Sequence, residues 1–235
     1  MIRESISMAD TSSFLCAMLL AFLPFSALQI VHAQTPEPPM QVPKVVPVPP
    51  LHPTAPLREP TDPPPQDVAD TRDHLTFHLP AGWNLTRKDG EISSFHLDAR
   101  TAPRTAQLRM VASLAFNPYP PSTFAGALFY VSTTPHATPA SCAMQTATKP
   151  FQPLPPATID DVPFTRGKDE HGQICTEARD VAYTAMRHGS CLRFDLAINN
   201  FCGGDVSGAQ DLTESQLQAL YTRLMTILNS VRFTR

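Results

Sequence analysis

Residues 175–202 read CTEARDVAYTAMRHGSCLRFDLAINNFC, and this stretch sets the architecture. Leu192, Phe194, Leu196 and Ile198 recur at every second position, as side chains on one face of a strand do. Val181, Tyr183 and Ala185 repeat the pattern upstream, and His188-Gly189 supplies a two-residue turn between the two runs. That turn pairs Arg187 with Ser190, so paired numbers sum to 377. Leu192 then faces Ala185, Phe194 faces Tyr183, and Leu196 faces Val181. A slip of one residue would put Phe194 opposite Thr184 and Ile198 opposite Asp180. Because such a slip inverts every side chain, the apolar match selects the first register. Continued outward, it brings Cys175 opposite Cys202.

The register bears on the cysteines. Past the leader described below, the chain carries Cys142, Cys175, Cys191 and Cys202. No CxxC pair is present, so neither a thioredoxin-type motif nor a zinc ribbon is supported. Cys191 and Cys202 stand at opposite ends of one strand, about 30 Å apart at about 3.3 Å per residue, against a bridging limit near 7 Å. The register favours Cys175–Cys202, with Cys142–Cys191 by remainder. A bulge is expected near Cys175, which falls at a hydrogen-bonded pair, where side chains are less close.

Further strands precede the hairpin. In His74–Leu79, Leu75, Phe77 and Leu79 alternate with His74, Thr76 and His78, and Pro80-Ala81-Gly82 closes the run before Trp83. Lys88-Asp89-Gly90-Glu91 reads as a turn into Ile92–Leu97. Gln107–Phe116 and Ala125–Thr133 are two more β-prone runs, separated by a loop at Asn117–Pro121. Residues Thr134–Thr158 are proline-rich and read as a long surface excursion carrying Cys142. The chain closes with a helix. Thr213 and Gln216 form a capping box, and Leu217, Leu220, Tyr221, Leu224, Leu228 and Val231 make one apolar stripe. The fold class expected is α+β: a mostly antiparallel sheet of about six strands with packed helices, including this C-terminal one.

The N-terminal third carries addresses, not fold. Phe14–Leu28 is an uncharged apolar run of 15 residues, shorter than the about 20 that span a bilayer. With Val31-His32-Ala33 offering small residues before Gln34, residues 1–33 read as a signal peptide, although Glu4 and Asp10 offset the usual positive bias. Residues 34–66 hold 13 of the chain's 26 prolines and no glycine, a composition for an extended, disordered linker. If fully extended it would reach on the order of 100 Å. Residues 67–235 then form a single disulfide-stabilised domain of 169 residues containing all nine glycines.

Cleavage at this point leaves 17 Lys+Arg against 19 Asp+Glu. That balance offers no basic patch for nucleic acid. No nucleophile elbow, P-loop, dinucleotide fingerprint or HExxH motif is present, so no cofactor is expected. His74 and His78 share a strand face, with His96 on a possible neighbour. On a strand, however, residues four apart stand about 13 Å apart, too far for one ion. They read as solvent-facing. Lys168–Gly172 (KDEHG) reads as a charged hairpin turn, while Asp160-Asp161 and Arg179 with Asp180 could supply acid–base groups if a cleft gathered them. Asn84-Leu85-Thr86 matches a glycosylation acceptor.

The segments FHLPAGWNL (77–85), KDGEISSF (88–95) and SQLQALYTRLMTILNSVRF (215–233) resemble PsbP-like domains, across roughly residues 72–234. That superfamily also holds a Ran-binding nuclear import factor and secreted or lipoprotein bacterial relatives. The resemblance implies an α/β/α sandwich and a non-enzymatic binding or assembly role. The four cysteines and the long prolyl loop depart from the plant-type pattern and argue against a photosystem role. The sequence therefore points to a secreted, periplasmic or envelope-tethered binding module. Its partner would be an unidentified protein or cell-envelope component, with no transmembrane domain after signal cleavage. Two alternatives are a small extracytoplasmic enzyme built from scattered Asp, His and Arg, and a protein using its cysteines as redox or metal-binding thiolates.

Overall fold

The hairpin read from residues 175–202 lies at the heart of a seven-stranded antiparallel sheet. The computed structural model describes residues 59–88, 102–173, 175–201 and 203–234, all belonging to one unit, Pro53–Arg235. Its elements run β1 (Gln66–Asp70), β2 (Leu75–Leu79), β3 (Trp83–Thr86), β4 (Gln107–Leu114), β5 (Phe124–Pro135), α1 (Pro139–Ala147), β6 (Gln152–Ile159), β7 (Val162–Gln173), β8 (Thr176–Arg187), β9 (Ser190–Phe201), α2 (Gly204–Ser207), α3 (Glu214–Asn229) and β10 (Arg232–Phe233). The large sheet has the order β3-β4-β5-β9-β8-β7-β6, and β1-β2-β10 form a small second sheet.

The β8–β9 ladder runs from Thr176↔Phe201 to Arg187↔Ser190 in the expected register, with Ala185↔Leu192, Tyr183↔Phe194 and Val181↔Leu196. Its turn places His188 and Gly189 at φ +45° and +77°, the left-handed pair that a two-residue hairpin loop requires. The strand runs read at His74–Leu79, Gln107–Phe116 and Ala125–Thr133 are β2, β4 and β5, with bounds Leu75–Leu79, Gln107–Leu114 and Phe124–Pro135, and Trp83 opens β3. Ile92–Leu97 and His96 lie outside the described residues, as do the leader and most of the proline-rich linker.

One face of the large sheet carries the main core. Phe129, Phe194, Leu196, Ile198, Met110 and Tyr183 pack there with Phe77 and Leu79 of the small sheet and with Leu220, Leu224, Ile227 and Leu228 of α3. Each such aliphatic side chain contributes roughly 1.5–3 kcal/mol by leaving water. The capping box of α3 is formed: Gln216 N–H donates to Thr213 Oγ1 (3.3 Å), and Thr213 N–H donates to Gln216 Oε1 (2.9 Å).

The opposite face is also buried, and more polar. Here α1 lies against β7 and β8, tied to β9 by the Cys142–Cys191 disulfide (Cα–Cα 5.3 Å). Its approach is close because Gly167 has no side chain. A Cβ at that position would sit 2.2 Å from the Thr146 carbonyl oxygen. Helices thus flank the sheet on both faces, and the class is α+β.

Two expectations are corrected. Thr134–Thr158 is not one irregular excursion, since it holds the end of β5, α1 and β6. Thr138 caps α1, with Pro139 in the first turn, where a missing N–H costs nothing. Pro153, Pro155 and Pro156 fall on β6, an edge strand whose outer side needs no donors. That edge strand also raises the large sheet from about six strands to seven.

Candidate functional site

Charged side chains two residues apart share a face of an extended strand, and three consecutive strands use that spacing. On β8, Arg179 clasps Glu177 through two contacts, Nη2–Oε1 at 2.8 Å and Nη1–Oε2 at 3.1 Å. On β9, Arg193 donates Nε–H to both Asp195 oxygens (2.8 and 2.9 Å) and Nη2–H to Oδ1. On β7, His171 Nδ1 lies 3.0 Å from Asp169 Oδ2.

The pairs lie on opposite sides of the sheet. Arg193, Asp195, Asp180 and Asp169 are all buried on the α1 face, and Arg193 Nη2 is also 3.9 Å from Asp180. The Arg193 guanidinium stands 5.5 Å from the Phe151 ring centroid. Lys168–Gly172 is therefore not a hairpin turn. It belongs to β7, with Asp169 paired to Asp180 across the ladder, and the β7–β8 turn comes after Gln173. Nor are Arg179 and Asp180 brought together, because adjacent residues on a strand point to opposite faces.

Arg179 faces the α3 side, where Glu177 and Asn200 complete a polar trio. In the amide orientation that satisfies both ends, Asn200 Oδ1 accepts from Arg179 Nη1 at 3.1 Å and its nitrogen donates to the Asn199 carbonyl at 3.2 Å. The trio forms one wall of a cleft of about 340 Å³, whose other walls include Thr123, Thr176, Phe201, Gly203, Asp211 and Leu212. Arg179 also borders a second cavity of about 140 Å³ beneath the first turns of α3, between Val181, Leu196 and Ile198 on the sheet and Leu217, Gln218 and Tyr221 on the helix. Arg179 is thus the common wall of a polar cleft and an apolar slot. The slot also holds Tyr221, whose hydroxyl is 2.9 Å from that of Tyr183. Burial, reinforced by that hydrogen bond, pushes the Tyr221 phenol well above its ordinary range.

Asp160 and Asp161 are structural. They form the β6–β7 turn at φ +46° and +63°, and Asp160 Oδ2 accepts from the Phe233 N–H at 2.6 Å. His78 is exposed, its Nδ1 2.9 Å from Asp67. His74 precedes β2 at φ +50° and meets His188, ring centroids 4.8 Å apart, so it shares no strand face with His78. Among the described residues no group of three His, Cys, Asp or Glu could hold a metal ion. Cys142 and Cys191 are bonded to each other, and Cys175 is disulfide-bonded as well, so none of the three is a thiolate ligand. Cys202 lies outside the described residues. The Glu177–Arg179 and Arg193–Asp195 pairs were missed from sequence, although their two-residue spacing on strands of known register was a usable signal.

No family model and no curated protein sequence matches the chain. Solved structures to which it is similar include the following three. LpqN of Mycobacterium tuberculosis, described as involved in cell envelope biogenesis, aligns at TM-score 0.42 and 10% identity over 73% of this chain and 91% of that one. Cyanobacterial PsbP (CyanoP) of Synechocystis aligns at TM-score 0.39 and 14% identity over 78% and 99%. A protein of Bacteroides thetaiotaomicron aligns at TM-score 0.34 and 8% identity over 69% of this chain and 46% of its own.

Proposed function

We propose that this is an exported, envelope-tethered binding module whose ligand seats in the cleft walled by Arg179. The single observation that carries the reading is the junction at Arg179 of a polar cleft of about 340 Å³ and an apolar slot of about 140 Å³. Sites that recognise without reacting combine apolar lining with a few placed polar groups, and this junction offers both within reach of one extended ligand. The Arg179–Glu177 clasp orients the polar wall, and a ligand carboxylate or amide would compete for the same guanidinium donors. The export half of the reading rests on the signal-like residues 1–33, the proline-rich residues 34–66 acting as spacer, and cysteines committed to disulfides.

Site-specific photo-crosslinking in cells tests it. A photoreactive side chain at Thr176 or Gln218, both exposed and both bordering the cavities, is expected to capture envelope material. The same probe at Thr222, exposed and outside both cavities, is expected to capture none. Arg179→Ala is expected to abolish the Thr176 product. Equal products from all three positions, or products indifferent to Arg179, would contradict the cleft as the site.

A further inference from the structure

Among the described residues, His78 and His171 are each engaged by an aspartate, at 2.9 and 3.0 Å. His74 and His188 instead meet each other, with ring centroids 4.8 Å apart and planes inclined by 47°. Among the described residues no hydrogen bond or ion pair holds either of these two rings. His74 is half-buried and His188 exposed, so solvent reaches the pair.

Two turns build the contact. His74 ends the β1–β2 turn at φ +50°, and its carbonyl accepts from the Thr234 N–H at 2.8 Å. His188 opens the β8–β9 turn at φ +45°. Hairpin closure therefore sets both backbones, and the imidazoles meet between the small sheet and the large one. The neighbouring charges are engaged elsewhere. Asp73 is 2.8 Å from Arg109, and the Arg187 guanidinium lies over the Phe233 ring at 4.3 Å.

The ring spacing suits a shared cation. Two imidazole nitrogens, each about 2.0–2.1 Å from one metal ion and spread by roughly 90–110° around it, put their ring centres about 4.5–5.2 Å apart. The observed 4.8 Å falls inside that interval. We propose that His74 and His188 form a two-histidine site for a divalent cation of the copper, nickel or zinc type. Imidazole nitrogen suits these metals, whereas Ca²⁺ and Mg²⁺ take oxygen ligands. No third His, Cys, Asp or Glu among the described residues completes a cage, so water fills the remaining positions. A bound cation would staple the β1–β2 turn of the small sheet to the central hairpin of the large one. The site uses no residue of the Arg179 cleft and stands whether or not a ligand binds there.

Asparagine suits a left-handed turn position, so His74→Asn and His188→Asn are expected to fold as the wild type does. Calorimetric titration of the untagged, processed chain with ZnCl₂ is expected to show one saturable site. Losing a group that merely orients a metal ligand costs about 10–100-fold in affinity, so losing either imidazole should weaken Zn²⁺ binding at least about tenfold. His78→Asn, which removes an aspartate-paired imidazole, should leave the affinity unchanged. Saturating Zn²⁺ should raise the wild-type Tm, reversibly with EDTA, and leave the Tm of His74→Asn and His188→Asn where it was. With Cu²⁺ in place of Zn²⁺, pulsed EPR of the wild type should detect two bound imidazoles. An absence of saturable Zn²⁺ binding below about 1 mM, or an affinity that survives either the His74 or the His188 substitution, would overturn the proposal.

Discussion

The Cys142–Cys191 bridge closes a loop with a sequence separation of 49, joining α1 to β9. Replacing both cysteines by alanine removes the cross-link and little else, since both positions are buried and a small residue fits each. For a loop of about 50 residues, the loop-closure entropy withheld from the unfolded chain is about 14 cal/mol/K, or about 4 kcal/mol at 25 °C. For a domain of this size that corresponds to a fall in Tm of roughly 2–4 °C per kcal/mol. Trp83, the chain's only tryptophan and 2% exposed, reports global unfolding by fluorescence. Urea titration of Cys142→Ala/Cys191→Ala is expected to show a loss of about 2–4 kcal/mol, with hydrogen-exchange protection falling most in α1. A loss under about 1 kcal/mol, with α1 as protected as before, would refute the view that this bridge fastens α1 to the sheet.

Three further outcomes are expected. Arg193→Met leaves the Asp195 and Asp180 carboxylates buried without their guanidinium and should cost about 3–5 kcal/mol by urea titration, whereas Arg193→Met/Asp195→Leu should recover part of that loss. Gly167→Ala puts a methyl group 2.2 Å from the Thr146 carbonyl oxygen, so urea titration should show a loss of about 1–3 kcal/mol, with α1 displaced and its amide exchange faster. The Arg223 guanidinium holds the Glu59 carboxyl below its ordinary range, so the pair stabilises above pH about 4.5 and its contribution is lost as pH falls through the lowered folded value. Because Glu59 is more than half exposed, Glu59→Gln should cost no more than about 1 kcal/mol at pH 7, and wild type and variant should converge in acid.

What the sequence disclosed follows from what is local. The β8–β9 register was legible because Leu192, Phe194 and Leu196 must meet Ala185, Tyr183 and Val181 on one face, and a single slip breaks every pair. The α3 cap was legible because Thr213 and Gln216 satisfy one another within a single turn. By contrast, Lys168–Gly172 looked like a solvated turn because nothing local shows that Asp169 meets Asp180 beside Arg193. That burial is created by strands pairing across the sheet. β6 was hidden for a related reason. Its prolines forbid a central strand, and only the finished sheet shows that this one is an edge. The cleft at Arg179 was invisible because its walls come from Thr123 just before β5, from β8 and β9, and from the segment before α3, which only the fold brings together.

On the proposed reading, this domain folds outside the reducing cytoplasm and is braced there by its buried Cys142–Cys191 disulfide. The most direct test traps thiols in intact cells with a membrane-permeant alkylating agent, recovers the protein, and maps Cys142 and Cys191 together with the N-terminus. A processed chain beginning at Gln34 is expected, recovered from the envelope or the medium, with Cys142 joined to Cys191. An unprocessed cytoplasmic chain with both thiols alkylated would contradict that reading.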